Sequence, residues 1–147
     1  MKNRSLPVDT VLPHLAYRNV GEAVEWLSRV FAFREHYRYG EPGDESGAQI
    51  FAGSACVMVH RVKENNDPAE PVICKQTITI FTEDVEAHHE RSKTAGAAIV
   101  EEPHETVYGE FQYAAIDLAG HRWLFSRHAR DLAPEDWGAR VADAPEH

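Results

Sequence analysis

The chain has 147 residues, 43% hydrophobic and 27% charged, with a formal net charge of -9, which fits one globular domain or two small fused halves able to bury a core. Its 15 Lys and Arg against 24 Asp and Glu leave no clustered basic surface for a phosphate backbone, so nucleic acid is excluded as a partner. No apolar run approaches the roughly 20 residues of a membrane helix, and the opening MKNRSLPVDT has no apolar signal core, so no membrane partner and a cytoplasmic location are expected. Cys56 and Cys74 show neither CxxC spacing nor a dense framework, and reduced thiols are expected.

Residues 11–18, VLPHLAYR, alternate imperfectly as a strand, and Asn19 followed by Glu22 has the spacing of a capping box. Val20, Ala23, Val24, Leu27, Val30 and Phe31 then recur at three-and-four spacing, predicting a helix with one apolar face. FREHYRYG, GAQIFAG and SACVMVHRV are short alternating runs separated by EPGDES and Gly53, which predicts three antiparallel strands. KENNDPAEP, residues 63–71, is polar and aperiodic and reads as an exposed connection. The order then starts again. KQTITIFT reads as a strand, residues 84–95 as a helix opened by Asp84 and closed by Gly96, and AAIVEE, EFQYAAID and HRWLFSR as three more strands. Asn19-Val20 answers Asp84-Val85 at an offset of 65 residues. The repeat predicts an α+β fold of two βαβββ modules, about 8–63 and 74–128, joined by a linker at 64–73 in a single domain over 8–128, with a tail at 129–147. The first helix is expected to be the better formed, because Leu27 and Phe31 stand on its apolar face where the second helix has His88, His89 and Ser92.

HLAYRNVGEAVEWLSRVFAF resembles the first strand and helix of the vicinal-oxygen-chelate superfamily, that of glyoxalases, bleomycin resistance proteins and extradiol dioxygenases; the chain from Asp84 to Phe125 resembles its second module. Ala95-Gly96-Ala97, Tyr108-Gly109 and the run from Asp117 to Trp123 match the family's AGA, YG and DPxGHxW patterns, with Leu118 where proline is common. The resemblance spans about residues 11–127 and is specific in combination. It implies curved mixed sheets around a ligand cavity, within one chain or by exchange between two. It also implies, for the family's enzymes, a divalent ion held by His, Gln and Glu from the first and last strands of each module. Such an ion needs N and O donors with positions left open for substrate. Aligned from the helix caps and the Gly120 turn, those positions fall on Leu12, Met58, Thr77 and Leu124, so no metal and no cofactor are expected.

Strand alternation from those positions places Leu12, His14 and Ala16; Cys56, Met58 and His60; Thr77, Thr79 and Phe81; and Arg122, Leu124 and Ser126 on the cavity wall. The other parity, Val57, Val59, Ile78, Ile80, Trp123 and Phe125, suits packing against the helices. The expected ligand-binding residues are His14, Met58, His60, Thr77, Phe81, Tyr108, Arg122 and Leu124. Arg122 fits either a ligand carboxylate or phosphate or an internal ion pair with an acid such as Glu110. Tyr108, Phe111 and Tyr113 are an aromatic wall or simply core. His88 and His89, adjacent on a helix, point about 100 degrees apart and cannot form a metal clamp. DLAGHRW reads first as a hairpin, in which Asp117 turns the chain and His121 has no catalytic part.

These readings favour a metal-independent protein that binds a small organic or antibiotic-like ligand and sequesters it. The alternative is a glyoxalase-like lyase or isomerase, or a dioxygenase, with a relocated metal or a His14/His60 acid–base site. Open sheet edges predict a homodimer. In the tail, DLAPEDWGARV carries an indole, Trp137, expected to be buried against the partner or its own subunit.

Overall fold

The computed structural model describes residues 3–7, 10–62 and 76–142. The expected linker and Cys74 lie outside the described residues. In chain order the elements are β1 (His14–Tyr17), α1 (Val20–Phe31), β2 (Arg34–Glu41), β3 (Asp44–Ala52), β4 (Ala55–Arg61), β5 (Thr77–Phe81), α2 (Val85–Thr94), β6 (Ala98–Glu105), β7 (Glu110–Ile116) and β8 (Arg122–His128). They form two four-stranded mixed sheets, ordered β1-β4-β3-β2 and β5-β8-β7-β6. In each, the strand before the helix pairs parallel with the last strand, and the remaining pairs are antiparallel. The α+β fold of two βαβββ modules is therefore as the sequence predicts.

Local differences have simple causes. The connection expected at EPGDES shrinks to a two-residue turn, because Glu41 pairs with Asp44 and Gly43 takes the positive φ of 84° the turn requires. Strand β1 is shorter than VLPHLAYR, and Leu12 precedes it.

Both helices open as their caps predict. Asn19 Oδ1 accepts from the Glu22 amide at 2.9 Å, and Asp84 Oδ1 accepts from the Ala87 amide at 2.9 Å. They differ in what they bury. Helix α1 buries Val20, Gly21, Ala23, Val24, Leu27, Val30 and Phe31, whereas α2 buries only Val85 and Ser92. Burying a side chain such as Leu27, which is fully enclosed, contributes about 2 kcal/mol. The first helix is accordingly anchored by its apolar stripe and the second by hydrogen bonds.

One core unites the modules. Phe31 and Phe33 of the first meet Trp123 and Phe125 of the second, three pairs edge-on and Phe33–Phe125 tilted, with ring centres 4.9 to 6.2 Å apart. The buried Asp117 is the polar centre of this junction: one carboxylate oxygen accepts from Tyr17 Oη at 2.6 Å and Trp123 Nε1 at 3.0 Å, the other from the amides of Ala119 and His121. His121 Nε2 donates to the Ala16 carbonyl at 2.8 Å. DLAGHRW thus makes the expected hairpin and also fastens the first module to the second. His88 acts similarly from α2, its Nε2 donating to the Phe31 carbonyl at 2.8 Å while its Nδ1 lies 2.5 Å from Tyr113 Oη. Burial lowers the His88 pKa from its ordinary value and pushes that of Tyr113 up to about 12. His89 turns the other way, its Nε2 2.8 Å from a Glu102 carboxylate oxygen but off the line of a hydrogen bond.

Candidate functional site

The parity predicted for the strands holds: Val57, Val59, Ile78, Ile80, Trp123 and Phe125 join the core beneath the helices. The opposite parity gives each sheet a helix-free face. The eight candidate residues divide between two such faces. His14, Met58 and His60 lie on the first sheet; Thr77, Phe81, Arg122 and Leu124 lie on the second. Tyr108, in the turn before β7, reaches the second face through its hydroxyl, which accepts from Gln112 Nε2 at 3.3 Å.

The first face is covered by the chain itself. The Ser5 carbonyl accepts from Tyr37 Oη at 2.8 Å and from Gln49 Nε2 at 3.3 Å, and the Pro7 carbonyl from Cys56 Sγ at 3.3 Å. Residues 3–7 therefore lie across β2, β3 and β4, and Gln49, Cys56 and Met58 are all buried. That burial raises the Cys56 pKa and keeps a free thiol protonated. Beyond the cover, His14 Nδ1 lies 2.6 Å from His60 Nε2. The ring planes are within 6° and the centres 4.9 Å apart, so the imidazoles meet nitrogen to nitrogen, edge to edge, rather than face to face. Desolvation, with the neighbouring His14 second, lowers the His60 pKa.

Among the described residues the second face is open along β5, although Gln112, Ala114 and Ser126 at its centre are buried. Thr77 and Thr79 are exposed and Phe81 is 62% exposed. Its floor is polar at one end, where Ser126 Oγ donates to Glu110 Oε2 at 3.0 Å and His128 Nδ1 lies 2.5 Å from Glu110 Oε1. Sequence reading named Ser126 as lining but missed Gln112 and His128. Period-two alternation carries the signal: Gln112 and Glu110 stand opposite Ser126 and His128 in the β7–β8 register.

Three groups of residues that sequence left with alternatives have definite surroundings here. Arg122 pairs with Glu101, at 2.7 Å, and not with Glu110; Glu110 is at the far end of β7, whereas the register shift between Ile99 and Glu101 sets Glu101 opposite Ala114, at the parity of Arg122. The aromatic wall is divided, because Tyr113 packs under α2 against Phe125 and Phe111 carries the Arg127 guanidinium, while Tyr108 alone attends the open face. Trp137 docks edge-on to Tyr108 of its own chain at 5.8 Å yet stays 43% exposed. The short 3-10 turn that bears it, Pro134–Trp137, buries no residue.

The chemistry of the donor set decides whether the family's ion fits. Leu12, Met58, Thr77 and Leu124 offer no imidazole and no carboxylate, and the described residues contain no group of three or more His, Cys, Asp or Glu able to hold a metal. The residues do not fit a hard divalent ion. Among the described residues, a cleft of about 340 Å³ lies elsewhere, between Tyr17, Arg18 and Glu22 and the turn at Leu118; none of the eight candidates lines it.

Residues 8–125 match the family model of the Glyoxalase/Bleomycin resistance protein/Dioxygenase superfamily. TioX from Micromonospora sp. ML1 is similar in sequence and structure, at 38% identity and a TM-score of 0.71 over 82% of this chain and 98% of TioX. A bleomycin-binding protein complexed with bleomycin shares the fold at 15% identity and a TM-score of 0.63, over 82% of this chain and 99% of that one. A glyoxalase/bleomycin resistance protein/dioxygenase family enzyme from Burkholderia phytofirmans PsJN does so at 16% and 0.62, over 78% and 94%. No curated protein sequence matches the chain. The chain belongs to the glyoxalase/bleomycin resistance protein/dioxygenase superfamily.

Proposed function

We propose that the chain binds a small organic, antibiotic-like ligand without a metal and without turning it over. The observation that carries this reading is the donor set: the family's four metal positions hold Leu12, Met58, Thr77 and Leu124. The ligand lies on the second face, open along β5, against Thr77, Phe81, Tyr108, Arg122 and Leu124, while His14, Met58 and His60 of the first face complete the wall. Exposed Phe81, Tyr108 and Trp137 offer planar apolar surface beside a polar floor, as small-molecule sites do. The protein acts as a homodimer, which gives the second face the opposite wall that an open sheet lacks; unpaired edges on β1, β2, β5 and β6 favour such pairing. The likeness to a bleomycin-binding protein supplies the probe.

Titration of the protein with bleomycin and other ring-bearing peptide antibiotics, in the presence of a chelator, tests the reading. Trp123 is fully buried, Trp26 is partly buried in the packing of α1 and Trp137 is 43% exposed, so quenching that disappears in Trp137→Phe reports on Trp137. Saturable quenching near one ligand per chain is expected, with a dimeric mass by light scattering. Binding that requires an added divalent ion, or chemical conversion of the ligand, overturns it.

A further inference from the structure

We propose that His14, His60 and Met58 form a binding site for a soft monovalent metal ion, Cu(I). The site shares His14, Met58 and His60 with the ligand wall proposed above, but it rests on the geometry of the first face alone and needs neither the organic ligand nor the second face. Register places the three together: His14 is the Cα partner of Met58 across the β1–β4 pair, and His60 follows Met58 by two residues on the same face of β4. The two imidazoles already present nitrogens to each other, His14 Nδ1 to His60 Nε2 at 2.6 Å. Met58 occupies a position where the family carries a hard donor, so a thioether replaces a carboxylate or imidazole there. Its sulfur accepts from Gln49 Nε2 at 3.4 Å, which uses one lone pair and leaves the second.

None of the three donors is anionic: each imidazole offers a ring-nitrogen lone pair and the thioether a sulfur lone pair. Two imidazoles with a thioether and no anionic ligand suit Cu(I), since soft sulfur selects it while hard divalent ions demand carboxylate oxygen. Ligation at about 2.0 Å per nitrogen requires the two rings to part. His14 can move, because it is exposed on an edge strand. The proton balance closes without an oxidant or reductant: whichever ring holds the shared proton transfers it to its own outward nitrogen, both facing nitrogens become ligands, and a neutral pair releases no proton.

Cu(I) supplied as its bicinchoninate complex to the reduced Cys56→Ser, Cys74→Ser chain gives the test, since thiols then cannot take the metal. Withdrawal of one equivalent per chain is expected. His14→Ala and His60→Ala should each weaken it at least about 100-fold, no less than outer-sphere losses cost, and Met58→Leu should weaken Cu(I) about tenfold with no change toward Zn(II). Should the thiol-free chain fold poorly, 15N shifts of the histidine side chains in the natural sequence, titrated with Ag(I), decide: His14 Nδ1 and His60 Nε2 must move together. No copper withdrawn, copper held equally by the His14→Ala and His60→Ala chains, or unmoved His14 and His60 shifts overturns the proposal.

Discussion

The two open faces are built on one topology and nearly one register, His14 with Met58 in the first sheet and Thr79 with Leu124 in the second, yet they have opposite fates. Residues 3–7 cover the first, burying Gln49, Cys56 and Met58; nothing among the described residues covers Thr77, Thr79 and Phe81 on the second. The helices behind them differ as well, since the position of Leu27 in α1 is held at the 65-residue offset by Ser92 in α2. A repeated unit has here divided its work: the first copy supplies most of the core, and the second is left with a face to use.

The largest effect is expected where the copies are fastened. Asp117 receives four donors from Tyr17, Trp123, Ala119 and His121 and is 5% exposed. Asp117→Ala leaves those donors buried and unpaired, a loss of about 4 kcal/mol measured by urea denaturation. A loss below about 1 kcal/mol would mean that the junction is held by the aromatic rings alone. Next, Leu27→Ala should cost about 3 kcal/mol through the cavity it leaves, against about 1 kcal/mol for Ser92→Ala, which forfeits the 2.8 Å hydrogen bond to Tyr113. Equal costs would erase the distinction between a packed helix and a hydrogen-bonded one.

The pH dependence tests the same distinction from the side of α2. Burial lowers the His88 pKa in the folded protein, so the unfolded chain binds more protons between the folded value and the ordinary value of about 6.5. Stability from His88 is then fully present above the ordinary value, falls as pH drops through it toward the folded value, and levels off below. His60, lowered for the same reason, contributes in the same direction. Chemical denaturation midpoints followed from pH 8 to 5 should decline, and His88→Gln should flatten the decline; an unchanged slope would remove His88 as its source.

Much of this was legible because it is periodic or local. The caps Asn19 and Asp84 stand at their helix starts, and alternation sorted Trp123 and Phe125 from Arg122 and Leu124 without error. What stayed hidden is long-range or aperiodic. Nothing in DLAGHRW tells that Asp117 reaches Tyr17, 100 positions earlier, or that His121 meets Ala16. The cover at residues 3–7 is irregular chain, whose placement depends on the single carbonyls of Ser5 and Pro7. Arg122 found Glu101 rather than Glu110 because a register shift in β6 sets Glu101 at the parity of Arg122, an irregularity that strict alternation does not foresee.

The smallest stability change should fall on the second face, and there the contrast can be made sharpest. Phe81 is 62% exposed, and its one aromatic contact among the described residues is the His128 ring, at 5.3 Å between centres. Phe81→Ala should therefore move stability by no more than about 0.5 kcal/mol, whereas Tyr37→Phe on the covered face removes a 2.8 Å hydrogen bond to Ser5 and should cost about 1 kcal/mol. Ligand affinity should reverse that order. Loss of an aromatic platform is worth about 1 kcal/mol or slightly more, a five- to tenfold weakening by fluorescence titration, while Tyr37→Phe leaves the second face untouched and should leave affinity unchanged. A residue that stabilises nothing yet matters for binding is one held outside the core for use. If Phe81→Ala instead destabilises the chain as much as Tyr37→Phe does and binds ligand normally, the exposed phenyl ring belongs to packing, and the ligand face must be sought on the first sheet beneath residues 3–7.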